Sequence, residues 1–107
     1  MTEEKSGKQA MGDLQSTLRE ATRLAERAVA IAASGASRKD KQRAVEEARD
    51  AIDHAKTAKI HAYHASTSTN PDSGTPMLKK MLASAVTHAS KELDAADRKI
   101  GLRGIPS

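Results

Sequence analysis

The chain has 107 residues with a formal net charge of +4, and it contains 20 alanines but one aromatic residue, Tyr63, and no Phe, Trp or Cys. The lack of cysteine excludes disulfides, thiolate metal sites and cysteine nucleophiles. The shortage of β-branched and aromatic residues argues against a β-rich fold, whereas Ala, Glu, Lys, Arg and Leu are typical of long helices in one small domain.

Hydropathy along the chain predicts no membrane helix, because no stretch approaches the ~18 consecutive apolar residues that such a helix needs. The polar N-terminus lacks the apolar segment of a secretory signal. We therefore expect a cytoplasmic protein with no membrane contact.

The first predicted helix spans 13–33 and opens a single helical domain over 13–100, after a flexible segment at 1–12. At 100° per residue its apolar side chains fall on one face, with arginines opposite. That face includes a row of small residues, Ala21, Ala25, Ala28 and Ala32. Gly35 is expected to end the helix because glycine tolerates a positive φ.

The second predicted helix spans 38–65, with Ser37 as its N-cap and Asp40 three residues later. Its main feature is an unbroken heptad row of alanine: Ala44, Ala48, Ala51, Ala55, Ala58, Ala62 and Ala65. Val45, Ile52 and Tyr63 lie beside this row and predict a second edge that contacts the third helix. Ile60 lies opposite the row.

A Ser-, Thr- and Pro-rich loop over 66–76, with Asn70-Pro71 as turn residues, separates the third helix from the second. Thr75 and Pro76 predict the N-cap and first residue of a helix over 76–100. Gly101 and Gly104 should end it, leaving a loose tail over 101–107.

These elements predict an all-α fold: an antiparallel three-helix bundle, or a helical hairpin plus a third helix, with close-packed Ala-rich seams. The alternative arrangement is a hairpin of the first two helices that meets its mate in a dimer. Because methyl-sized side chains bury little area, we expect a thin core and a homo-oligomer or partner complex that supplies further burial.

Basic residues concentrate where an antiparallel bundle would bring the start of the second helix to the end of the third. This predicted basic pole consists of Arg38, Lys39, Lys41, Arg43, Arg98, Lys99 and Arg103. It favours an acidic protein partner. Nucleic acid is the less favoured partner, since no aromatic side chains are interleaved for base stacking.

Histidines at helical spacing, His54, His61 and His64, raise the hypothesis of a metal site, although no third strong ligand lies one turn from His64. No catalytic motif or glycine-rich phosphate loop is present, so we expect no enzyme and no cofactor. The predicted function is a small non-enzymatic helical interaction module, such as an adaptor, inhibitor or assembly factor. The alternatives are a nucleic-acid-associated protein and a histidine-based metal-binding protein.

Overall fold

The computed structural model describes residues 6–69 and 74–102, and this part of the chain forms three helices. They are α1 (Gly7–Ala33), α2 (Arg38–Thr67) and α3 (Pro76–Leu102). Each helix packs against both of the others, and the α1–α2 pairing is the most extensive. The predicted all-α three-helix bundle is confirmed.

The helices run up, down and up, as the membership of two buried clusters shows. One cluster joins the second half of α1 to the first half of α2 and the end of α3. The other joins the start of α1 to the end of α2 and the start of α3. The start of α2 therefore lies at the same end of the bundle as the end of α3.

Alanine fills most of the core. Of the nineteen buried hydrophobic residues in the described part of the chain, thirteen are alanine, and the largest fully buried side chains are Leu14, Ile52, Leu82 and Leu93. Every alanine of the predicted α2 row is buried, and so are Ala21, Ala25 and Ala28 of α1, whereas Ala32 is half-buried. Rows of methyl groups on facing helices permit an interaxial distance near the lower end of the usual ~8–10 Å range.

The start of α1 differs from the prediction, which placed residues up to 12 in a flexible segment. Ser6 caps the helix by accepting a hydrogen bond from the Gln9 N–H at 3.2 Å, and helix begins at Gly7. Gly7 and Ala10 are buried. This extra length covers the C-terminal part of α2 and the start of α3, where Ala62, Ala65 and Leu82 would otherwise face water.

Gly35 does not end α1 in the predicted way, since among the described residues Gly74 alone has a positive φ. The chain instead leaves the helix in an extended conformation at Ser34. The Ser34 hydroxyl donates to the Ile31 carbonyl at 2.6 Å and accepts from the Ala36 N–H at 3.2 Å. A side chain thus satisfies the carbonyl that a left-handed glycine turn would have covered.

Tyr63 is also misplaced by the sequence analysis: Val45 and Ile52 are buried in the cluster that includes α3, but Tyr63 is 54% exposed. The contact line between packed helices follows a 3.5-residue period and drifts by ~20° per heptad relative to a straight helix. Continuing the spacing of Val45 and Ile52 leads to Lys59 and Ser66, which are half-buried. Tyr63 falls beside that line.

The predicted N-caps of α2 and α3 are present. Ser37 accepts from the Asp40 N–H at 3.2 Å and Thr75 from the Leu78 N–H at 3.1 Å. At Gly74, φ is +136° and an added Cβ would lie 2.7 Å from Leu78 Cδ2, so any other residue there would be strained.

The helix ends extend the predicted bounds slightly. The second helix ends two residues later than predicted, at Thr67, where Lys79 Nζ donates to the Ser68 carbonyl at 2.7 Å. The third helix continues through Gly101 to Leu102, so the predicted loose tail is wrong at its first two residues. The Asn70-Pro71 turn, Gly104 and residues 103–107 lie outside the described residues.

We expect Ala48→Leu and Ala55→Leu to destabilise the bundle by roughly 1–3 kcal/mol each, because both residues are fully buried and added methylenes force closely packed helices apart. The free energy of unfolding from urea titration measures this. Ala95→Leu is the matched control, since Ala95 is exposed on α3. Equal stability of the seam variants and the control would contradict close packing at the seam.

Candidate interaction surfaces

The residues of the predicted basic pole come from two distant parts of the chain that the antiparallel order brings to one end. Arg38, Lys39 and Arg43 at the start of α2 are exposed, and Lys41 is half-buried. Arg98 and Lys99 near the end of α3 are exposed. Arg103 lies outside the described residues, so the basic pole of the structure consists of the other six.

None of these six cations forms an ion pair within the part of the chain that the structure describes. Asp97, the nearest acid along α3, instead accepts from Lys56 Nζ on α2 at 3.1 Å. The first turn of α2 also carries the positive end of the helix dipole, which adds to the charge of Arg38, Lys39 and Lys41. The pole is therefore a concentrated positive surface, with Asp40 in the first turn of α2 as an acid among its six cations.

A second surface, which the sequence analysis did not predict, is a groove of about 460 Å³ between α1 and α2 on the side away from α3. Leu24 and Ala51 contribute apolar surface, and charged side chains form its margins. The lining residues are Thr17, Glu20, Arg23, Leu24, Arg27, Glu47, Asp50, Ala51 and His54. The sequence contains an indication of this groove, because Thr17 and Leu24 are one heptad apart at the edge of the apolar face of α1.

The groove margins carry two ion pairs. Glu20 and Arg23 on α1 approach to 2.6 Å, and Arg27 on α1 reaches Glu47 on α2 at 3.4 Å. The hydrogen bond from Arg23 lowers the pKa of Glu20, and the reciprocal bond raises the pKa of Arg23. Asp50 forms no ion pair with any described residue, so the margin keeps an uncompensated carboxylate.

The histidines singled out in the sequence are spread along α2. His54 lines the groove, whereas His61 and His64 are exposed, with the His64 ring 6.2 Å from that of Tyr63. Within residues 6–69 and 74–102, no three His, Cys, Asp or Glu side chains converge into a group that could hold a metal ion. The structure therefore adds no further ligand from the described residues to the predicted histidine site.

Large apolar side chains are exposed at two further places. Ile60 is 51% exposed and lies beside the exposed Tyr63 on α2, while Met77 and Met81 are 73% and 55% exposed at the start of α3. The position of Ile60 opposite the alanine row explains its exposure. Neither pair lines the groove or belongs to the basic pole.

Among the described residues, no helix contains an apolar stretch long enough to cross a bilayer. A scan of protein-family models found no match to this chain, and comparisons with curated proteins and with solved structures found none either.

The Glu20–Arg23 pair predicts a specific titration behaviour. We expect Arg23→Gln to raise the pKa of Glu20 towards its ordinary value, because the variant removes the charge-assisted hydrogen bond that favours the carboxylate. Since the folded-state pKa of Glu20 is depressed, its contribution to stability is present above the unfolded-state pKa and is lost as the pH falls. NMR titration of the Glu20 side-chain carboxyl measures the shift.

Arg49→Gln is the control for this titration, since Arg49 is exposed on the other side of α2 and its loss changes the net charge equally. A Glu20 pKa that moves by the same amount in both variants would show that net charge, and not the hydrogen bond, sets its value.

Proposed function

We propose that this protein is a small, non-enzymatic helical interaction module of the cytoplasm that binds an acidic surface of a partner protein through its basic pole. The observation that supports the proposal is the clustering of six cations from α2 and α3 at one end of the bundle, without ion pairs to described residues. An adaptor, inhibitor or assembly factor would act in this way.

Folding alone gives no reason for this arrangement. Cations in the first turn of a helix are unfavourable by roughly 0.3–1 kcal/mol each, because they face the positive end of the helix dipole. Arg38, Lys39 and Lys41 occupy this position in α2. A concentrated positive surface of this kind raises the association rate with an oppositely charged partner.

An acidic protein fits the pole better than nucleic acid does. Single-stranded nucleic acid is held by basic grooves whose aromatic side chains stack on the bases. Tyr63 is the one Phe, Tyr or Trp residue of the chain, and it lies twenty residues along α2 from Arg43. At 1.5 Å per residue, this places it roughly 30 Å from Arg43. The pole therefore offers charge without a stacking platform.

The test compares binding of fluorescent poly-L-glutamate to two variants with equal loss of charge. In the pole variant, Arg38, Lys39, Arg43, Arg98 and Lys99 become glutamine; in the control, Lys8, Arg19, Arg49, Lys80 and Lys91 do. We expect the pole variant to bind roughly tenfold or more weakly, since five surface ion pairs of a few tenths of a kcal/mol sum to more than the ~1.4 kcal/mol of a tenfold change. The control should bind nearly as the natural chain does.

Two outcomes would contradict the proposal. Equal weakening in both variants would show that total charge and not the pole determines binding. Tighter binding of single-stranded or duplex nucleic acid than of poly-L-glutamate at the same salt concentration, lost in the pole variant, would assign the pole to nucleic acid.

A further inference from the structure

We infer that the outer face of the α1–α2 pair, which contains the groove, is the docking surface for a second copy of this chain. In the inferred dimer, α1 of each copy lies on α2 of the other. This inference concerns a different surface from the basic pole and does not depend on the proposed function.

The apolar part of this face is an incompletely buried heptad row on α1. Leu24 and Ile31 are seven residues apart and therefore lie on the same side of the helix. Both pack against the core cluster yet are only partly buried. Thr17 extends the row by one heptad and lines the groove with Leu24. A covering helix would bury the remaining surface of these side chains.

The charges of the face are complementary to a second copy of themselves. On α1 the groove margin carries Arg23 and Arg27 with one acid, Glu20, and on α2 it carries the acids Glu47 and Asp50. The Arg27–Glu47 ion pair shows which residues of the two antiparallel helices lie at the same height along the bundle. One turn further from the loop that connects the helices, Arg23 on α1 lies at the height of Asp50 on α2. Both of these arginines of α1 therefore lie at the same height along the bundle as a carboxylate of α2.

A two-fold axis parallel to the helices uses this complementarity. This rotation places α1 of each copy on α2 of the other and leaves every residue at the same position along the helix direction. Arg23 of each copy therefore meets Asp50 of the other. Helices that meet across the interface then run antiparallel. An axis perpendicular to the helices would instead stack α1 on α1 and bring arginine-bearing margins together, which like-charge repulsion disfavours.

The area of the face matches what a stable dimer needs. The 27 residues of α1 extend roughly 40 Å, and two helices ~8–10 Å apart present a width of about 20 Å. The resulting projected area of ~800 Å² is of the same order as the surface that each partner buries in an interface of standard size. Burial there would supplement a core in which thirteen of nineteen buried hydrophobic residues of the described chain are alanine.

The decisive experiment mixes two charge-reversal variants, Arg23→Glu and Asp50→Arg. In a dimer of either variant alone, both Arg23–Asp50 contacts become like-charged; in a mixed dimer, both are again oppositely charged. Sedimentation equilibrium should show the natural chain as a dimer, each single variant at least about tenfold weaker in self-association, and the equimolar mixture restored to near the natural affinity.

The controls are Arg49→Glu and Asp94→Arg, which make the same charge changes at exposed positions away from the groove. They should dimerise as the natural chain does, alone and mixed. Circular dichroism of each variant confirms that it is folded, and the rescue by mixing cannot come from contacts within one chain.

Three results would overturn the inference. The natural chain could sediment as a monomer across a roughly hundredfold concentration range, with an unchanged melting temperature. The two groove variants could dimerise like the controls, which would place the interface elsewhere. The mixture could remain as weak as its components, which would deny the contact between Arg23 and Asp50 of opposite copies.

Discussion

The close approach of two alanine rows, one on α1 and one on α2, is the constraint on which the bundle depends. Small side chains let the two backbones pack tightly, which explains why this pairing is the most extensive of the three. The same choice limits the apolar area that the core buries, since Leu14, Ile52, Leu82 and Leu93 are its largest fully buried side chains. Tight packing and a thin core thus have one cause.

Much of this architecture follows from the sequence, because the signals are local or periodic. The heptad row of α2 is buried along its whole length, and Ser37 and Thr75 cap their helices as predicted. The predictions fail where contacts between helices, and not local sequence, determine the structure. Ser6 and Ala10 give a weak local signal for helix, and the first turns of α1 are ordered by covering α2 and α3. Tyr63 lies on the predicted edge in a straight helix but not along the contact line of a bundle.

The two candidate surfaces differ in how much of each could be predicted from the sequence. The basic pole needed only the chain order of charged residues and the antiparallel topology. The groove required the relative height of two helices, which a hairpin sequence leaves open and which the Arg27–Glu47 contact reveals. Should both proposals hold, a two-fold axis along the helices would place two basic poles at the same end, so that an extended acidic partner could engage both and gain avidity.

The most direct measurement of the central claim is a methyl NOESY spectrum of protein labelled at its alanine methyl groups. Close packing of α1 on α2 predicts cross-peaks within one chain between the row of Ala21, Ala25 and Ala28 and the row of Ala44, Ala48 and Ala51, in antiparallel order. Cross-peaks between these rows that appear only in isotope-filtered spectra of mixed labelled and unlabelled chains would contradict it. They would show that the seam joins two chains and does not close one hairpin.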